Sequence, residues 1–189
     1  TCVLGTLNVL NFALQKNAKV LFTSTSEVYG DPEVHPQPES YRGSVNPIGI
    51  RACNDEGKRC AESLFYDFHR THGLDIKVAR LFNTYGPLMR ADDGRVVSNF
   101  ICQSILDHPI TIYGDGSQTR SFCHVDDLIR GLKLLMNSGP SILYPVNLGN
   151  PGEFTLLALV EEIEQIVNKK LTLDFLPLPP DDPKIRKPD

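Results

Sequence analysis

Lys19-Val-Leu-Phe-Thr-Ser-Thr-Ser-Glu-Val-Tyr-Gly30 decides how the rest of the chain is read. Its apolar opening, residues 19–22, has the length and composition of a buried strand. Thr23, Ser24, Thr25 and Ser26 then gather polar groups at the strand's C-terminal end. A second stretch repeats the plan: residues 76–82, Ile-Lys-Val-Ala-Arg-Leu-Phe, read as a strand, and Asn83-Thr-Tyr-Gly-Pro87 follows it. Between the two lies a loop with Pro32, Pro36, Pro38 and Pro47, too many for a helix. A helical pattern then runs from near Ile50 to about His72, stopped by Gly73. Ahead of the first strand, Val3, Leu7, Leu10 and Leu14 fall at helical spacing over residues 1–17, with Asn17 as a stop.

The alternation continues. Residues 95–107 suit a helix, 110–113 a short strand, and 125–136 a helix capped by Ser121 or nearby polar groups. Residues 144–148 suit a strand, 154–169 an amphipathic helix and 171–175 a last strand, before a proline-rich tail from Pro177 that should be extended. Strands and helices alternating at this pitch predict an α/β fold with a parallel sheet.

Composition excludes several functions. Of 189 residues, 41% are hydrophobic and 22% charged, which suits a globular fold and argues against disorder. The net charge of -4, with no basic run, argues against gripping nucleic acid. No apolar stretch approaches the ~20 residues that span a bilayer, so no membrane contact is expected of this segment. Cys2, Cys53, Cys60, Cys102 and Cys123 are scattered, with no C-x-x-C, and fit buried thiols in a reducing compartment. The five histidines offer no helical pair for a metal and read as structural or surface residues, so no metal is expected. Glu161, Glu162 and Glu164 read as a solvated face opposite Leu157, Val160, Ile163 and Val167.

In a doubly wound sheet, ligands gather at the C-terminal ends of strands. Each of the two polar segments fits a capped turn when taken alone; one behind each of two strands makes a ligand site the better reading. Asn54 and Lys58 are four residues apart and share a helix face, although a lone helical lysine equally suits a solvated surface.

These and several further strings carry a resemblance: Thr25-Ser-Glu-Val-Tyr-Gly-Asp-Pro32, Val45-Asn-Pro-Ile-Gly49 with Arg51-Ala-Cys53, and Asp55-Glu-Gly-Lys-Arg59. Further along come Arg80-Leu-Phe-Asn-Thr-Tyr-Gly-Pro87, Asp93-Gly-Arg-Val-Val-Ser-Asn-Phe100 and Tyr113-Gly-Asp-Gly-Ser-Gln-Thr-Arg120. Val146-Asn-Leu-Gly-Asn-Pro151 and Arg186-Lys-Pro-Asp189 complete the set. Over essentially its whole length the chain resembles the UDP-glucuronate decarboxylases (UDP-xylose synthases), extended short-chain dehydrogenases/reductases. The resemblance implies a Rossmann-like doubly wound parallel sheet, here its C-terminal half, plus a small α/β substrate-binding subdomain. Residues 1–90 would belong to the NAD-binding domain, and 91–189 mainly to the nucleotide-sugar subdomain, interleaved with late Rossmann strands.

The implied chemistry uses NAD as cofactor and a UDP-sugar as substrate. Oxidation at C4 of the glucuronosyl ring gives a 4-keto sugar, whose C6 carboxylate then leaves as CO₂; protonation at C5 and return of hydride give UDP-xylose. By position, Lys58 would bind the nicotinamide ribose and lower the pKa of a catalytic tyrosine. Thr25 and Ser26 would hydrogen-bond around the reacting hydroxyl, and Glu27 would lie by the sugar carboxylate or handle protons. Thr23, Ser24, Thr84 and Arg90 would lie near the cofactor. Asn83, Asn99, Tyr113 and Arg120 would contact the nucleotide sugar, the guanidinium of Arg120 suiting phosphate oxygens. Arg186 matches an arginine used at the sugar end. The family pairs as homodimers through a helix bundle, and its members occur in the cytoplasm or anchored in the Golgi; the cytoplasm is expected here, with the Golgi as alternative.

Two departures qualify this. The tyrosine of the family's Tyr-x-x-x-Lys is here Asn54. A phenol of pKa ~10 can be poised as a base beside an ammonium, whereas a carboxamide has no proton to lose near neutral pH. Losing a general base costs ~10²–10⁴ in rate, so impaired C4 oxidation is expected. The nearest tyrosines, Tyr41 and Tyr66, offer no substitute. Nor does any G-x-x-G-x-x-G or G-x-G-x-x-G occur, which together with Thr1 in place of a Met suggests a C-terminal piece that binds NAD poorly. Competing readings are another nucleotide-sugar dehydratase or epimerase, disfavoured because Ser26-Glu27 stands where a dehydratase has Asp-Glu, and a non-catalytic UDP-sugar-binding homologue, favoured by Asn54.

Overall fold

The computed structural model describes residues 2–178 and 186–189. Helix α1 (Cys2–Lys16) leads through β1 (Val20–Thr25) and a 3-10 turn (Ser26–Tyr29) to the long helix α2 (Ala52–His72) and β2 (Ile76–Leu81). Next come β3 (Thr84–Tyr85), α3 (Val96–Ile105), β4 (Ile110–Tyr113), β5 (Thr119–Ser121) and β6 (Cys123–His124). Helix α4 (Val125–Met136), β7 (Val146–Leu148), β8 (Glu153–Thr155), α5 (Leu156–Val167) and β9 (Leu173–Leu176) complete the order. The extended tail expected from Pro177 falls, over residues 179–185, outside the described residues.

The fold is α/β with a parallel sheet. β1, β2 and β7 form it in that order, with Thr25 opposite Leu81 and Leu81 opposite Leu148. Three strand ends therefore share one row, and the loops after them leave from one edge. The pleat of β2 explains how both faces are covered. Ile76 and Val78 pack with Leu10 and Ala13 of α1 and Phe65 of α2, and Arg80 on the same face meets Glu62 of α2. Lys77 points the other way, fully buried, and its ammonium donates to the Gly139 and Ile142 carbonyls beyond α4 at 2.8 and 2.9 Å. Those acceptors are what make a buried cation tolerable in a central strand.

The 110–113 strand, β4, lies outside this sheet and pairs in parallel with β9, over a separate core of Phe100, Ile110, Ile112, Leu156, Val160 and Ile163. β5 pairs antiparallel with β8, and β3 pairs with β6. Several expectations need correction. In α1 the buried stripe is Thr6, Leu10 and Ala13, while Val3 and Leu14 of the expected face are exposed. Of Ser121 and the polar groups near it, His124 is the one that caps α4, its ring accepting the Asp126 N–H. Glu164 is not on a solvated face; it accepts the Leu171 N–H and pairs with Lys170, as the chain turns into β9. Of the cysteines only Cys123 is buried, and Cys53 and Cys60 are exposed.

Candidate active site

The end of β1 turns tightly. Thr25 is extended, and its hydroxyl accepts the Glu27 N–H at 3.2 Å, starting the 3-10 turn. That turn buries Ser26 and Tyr29 and leaves the Glu27 carboxylate at the sheet edge. Gly30 follows at φ +64°, ψ −136°, and a Cβ there would stand 2.0 Å from the Ser44 carbonyl oxygen, so only glycine fits.

Glu27 is the centre of a polar cluster. Asn54 of α2 donates its amide to one carboxylate oxygen at 2.5 Å, and Arg51, just before α2, forms an ion pair with the other. Arg186 approaches that second oxygen at 3.9 Å and donates to the Gly30 carbonyl at 2.9 Å. Asp55 sits beside them, 8% exposed. Burial pushes its carboxyl above the usual carboxylate value; Arg51, the Asn54 amide and Arg186 counter this without reversing it.

One helical turn on from Asn54, the Lys58 ammonium donates to the Thr23 carbonyl at 2.8 Å and lies 4.9 Å from the centre of the Phe22 ring. The lysine is thus fixed at the C-terminal end of β1 rather than free in solvent. Thr23 is exposed, whereas Ser24 is buried and donates to Glu62 at 2.6 Å, on the α2 side of the sheet. At the end of β2, Asn83 is exposed, its carbonyl accepting the Cys123 N–H, and the Thr84 hydroxyl donates to the Phe82 carbonyl.

Direct contacts therefore link Thr25, Glu27, Asn54 and Arg186, with Lys58 anchored at Thr23 and Asn83 and Thr84 following the neighbouring strand. The remaining expected residues sit on other elements. Arg90 is exposed and grips Asp92 with two hydrogen bonds. Asn99 lies in the first turn of α3, Tyr113 ends β4, and Arg120 of β5 donates to the Thr119 carbonyl. A shallow groove of about 400 Å³ on α4, lined by Asp126, Ile129, Arg130, Lys133, Leu134 and Asn137, includes none of these residues.

Sequence reasoning missed Arg51 and Asp55 as members of the cluster, although both flank Asn54. It also missed the support beneath. Arg80 binds both carboxylate oxygens of Glu62, at 3.0 and 2.7 Å, and reaches the Tyr29 hydroxyl and Glu39 carbonyl; Tyr29 donates on to Asn147 at 2.7 Å. Burial raises the Tyr29 phenol despite the opposing pull of Arg80. This network ties α2, β2, β7 and the 3-10 turn into one platform.

For a dinucleotide, the ammonium of Lys58 and the hydroxyls at the strand ends suit ribose hydroxyls, while the 189 residues contain no glycine-rich loop for the pyrophosphate. Among the described residues, no three His, Cys, Asp or Glu are placed to hold a metal, and no helix is long and apolar enough to cross a membrane.

The chain is similar to known proteins over its whole length. Residues 1–149 match the model of the NAD dependent epimerase/dehydratase family. The chain is 57% identical to UDP-glucuronic acid decarboxylase 1 of Arabidopsis thaliana and 54% identical to UDP-glucuronic acid decarboxylase 5 of the same plant, over 100% of its own length and 43% and 55% of theirs. It spans about half the length of these curated relatives. The crystal structure of UDP-glucuronic acid 4-epimerase from Bacillus cereus, in complex with UDP-glucuronic acid and NAD, superposes with a TM-score of 0.88 at 29% identity, covering 100% of this chain and 58% of that one. With the family's model matched over residues 1–149 of its 189, the chain belongs to the NAD dependent epimerase/dehydratase family.

Proposed function

We propose that this chain carries the sugar-binding and decarboxylation part of an enzyme that converts UDP-glucuronate to UDP-xylose. The observation that carries the reading is the Glu27–Arg186 pair at the end of β1, flanked by Arg51 and Asn54. Two relatives named as UDP-glucuronic acid decarboxylases, and a structural neighbour binding UDP-glucuronic acid, support it.

The chemistry asks for a group that recognises the C6 carboxylate and a proton donor at C5. Once C4 is a ketone, the C5–C6 bond breaks, CO₂ leaves, and its electron pair delocalises into the C4 carbonyl before C5 is protonated. A guanidinium, always charged and able to bind both oxygens of a carboxylate, suits the first task, and Arg186 supplies it. Glu27 is the carboxyl group within reach for proton handling at C5, and Thr25 orders it through the 3-10 turn. NAD, when bound, supplies the reversible oxidation at C4. Lys58 would hold its nicotinamide ribose, with Thr23, Ser24, Thr84 and Arg90 as the further cofactor-side residues. Asn83, Asn99, Tyr113 and Arg120 are assigned to the nucleotide sugar. The step without an acceptor is proton removal from the C4 hydroxyl, since Asn54 cannot take it; C4 oxidation is slowed by ~10²–10⁴ for that reason.

A specific contact favours a second reading, a UDP-sugar-binding homologue without turnover: the Asn54 amide is committed to Glu27. The test is UDP-xylose formation from UDP-glucuronate and NAD in the full-length protein, with and without Asn54→Tyr. A rise with tyrosine supports the decarboxylase; binding without turnover in both supports the silent homologue; no binding of UDP-glucuronate refutes both. We further propose a homodimer in which the exposed Leu4, Val9 and Phe12 of α1 are covered by the partner, and a cytoplasmic location, with the Golgi as alternative.

A further inference from the structure

Arg186 reaches Glu27 from the far end of the chain, so something must hold its backbone there. Gln37 is the residue that does. It is 0% exposed, in the proline-rich loop between the 3-10 turn and α2. Its backbone N–H donates to the Lys187 carbonyl at 2.9 Å, and its carbonyl accepts the Asp189 N–H at 3.3 Å and the Asn147 amide at 2.8 Å. Its side chain works in the same direction: the amide oxygen accepts the Lys187 N–H at 2.9 Å, and the amide nitrogen donates to the Val34 carbonyl at 2.8 Å. Gln37 and Pro188 form an isolated parallel bridge. A second tie lies alongside, where the Lys187 ammonium stands 3.8 Å from Glu153, itself 3.3 Å from His35.

A buried glutamine with both side-chain ends used is costly to replace, because removing one partner leaves the other unsatisfied. Here the partner left behind is the amide next to Arg186, a residue 6% exposed whose guanidinium stands beside Glu27. We propose that Gln37 is a positioning residue: by clasping Lys187 it sets Arg186 beside Glu27, and preference for a carboxylated sugar depends on it although it touches no substrate. This rests on the sugar-binding reading above.

Gln37→Met keeps the length and apolar volume and removes both side-chain hydrogen bonds. Losing the aligned guanidinium is expected to raise the Kd for UDP-glucuronate about tenfold or more, the size of one charge-assisted hydrogen bond, with UDP and UDP-glucose changed less than about twofold. In an Arg186→Met background the same substitution should have no further effect, because Gln37 acts through Arg186. Gln37→Glu retains the acceptor for the Lys187 N–H but turns a second oxygen toward the Val34 carbonyl, so it should keep more of the preference than Gln37→Met without restoring all of it. Equal weakening of all three ligands, or an undiminished effect without Arg186, overturns the proposal. Hydrogen exchange at the Lys187 and Asp189 amides and phenylglyoxal labelling of Arg186 provide a readout without ligand: both should rise in Gln37→Met, and no change overturns the clasp. A wild-type protein with no preference for UDP-glucuronate over UDP-glucose, but faster exchange in the variant, refutes the sugar reading and leaves the clasp standing.

Discussion

Replacing Glu62 with glutamine tests the platform under the site. The side chains of Arg80 and Glu62 are only 12% and 9% exposed, so solvent screens them little. Arg80 makes four hydrogen bonds, two of them to Glu62. Glu62 also accepts the Ser24 hydroxyl, on the same oxygen that takes the Arg80 Nε–H. Glutamine keeps that oxygen but turns an NH₂ toward the Arg80 Nη2, setting donor against donor and leaving a buried cation without its counter-charge. Breaking a buried pair in this way costs about 3 kcal/mol or more. For a chain of this length that corresponds to a fall in Tm of about 6–12 °C. Urea unfolding followed by circular dichroism reads it directly, as a lower midpoint at unchanged slope. The double replacement Glu62→Leu with Arg80→Met should recover most of the loss, because the desolvation cost of both charges disappears. A Glu62→Gln protein within about 0.5 kcal/mol of the parent would refute the claim that this pair holds the platform.

Other outcomes follow from the same geometry. Gly30→Ala forces a side chain into a left-handed position and against the Ser44 carbonyl; the backbone strain alone is worth about 1–3 kcal/mol, and near-ultraviolet circular dichroism of Tyr29 should report a disordered turn. Asp55 is held above its ordinary value, so its charged form is disfavoured in the folded state. The parent should therefore lose stability as pH rises from 3.8 through the raised value, and Asp55→Asn should lack that loss, with the gap between the two opening toward neutral pH. Glu153 behaves oppositely. Burial would raise its carboxyl, but the Thr119 hydroxyl, His35 and Lys187 bring it below the usual value. Its contribution is present above 4.5 and lost as pH falls through the lowered folded value, a loss that acid titration of Glu153→Gln should not show.

How much of this was legible in the sequence depends on the kind of signal. Val20–Phe22 and Ile76–Val78 announce buried strands because both faces of the sheet are covered, and the polar residues after each mark one functional edge. The two- and three-residue strands β3, β5, β6 and β8 carry no periodicity and could not be seen. Residues 110–113 read as a short strand, yet the core that Ile110 and Ile112 bury against is that of α3 and α5, which local pattern does not reveal. Nothing in the strand pattern marks Lys77 and Arg80 as buried cations; their burial depends on carbonyls and a carboxylate supplied from distant segments. The same holds for Gln37, whose partner Lys187 lies 150 residues away in sequence. The four-residue spacing from Lys58 and the family's Tyr-x-x-x-Lys both point to Asn54, but only the fold shows its amide spent on Glu27.

The central claim is that Glu27, Asn54, Lys58 and Arg186 surround one sugar nucleotide at the C-terminal ends of β1 and β2. Backbone and side-chain nuclear magnetic resonance shifts on titration with UDP-glucuronate test it most directly. Saturable shifts are expected at Thr25–Gly30, Asn54, Lys58, Asn83 and Arg186, with the Glu27 and Arg186 changes absent when UDP replaces UDP-glucuronate. Shifts confined to the α4 groove, or the same pattern for UDP as for UDP-glucuronate, would contradict it.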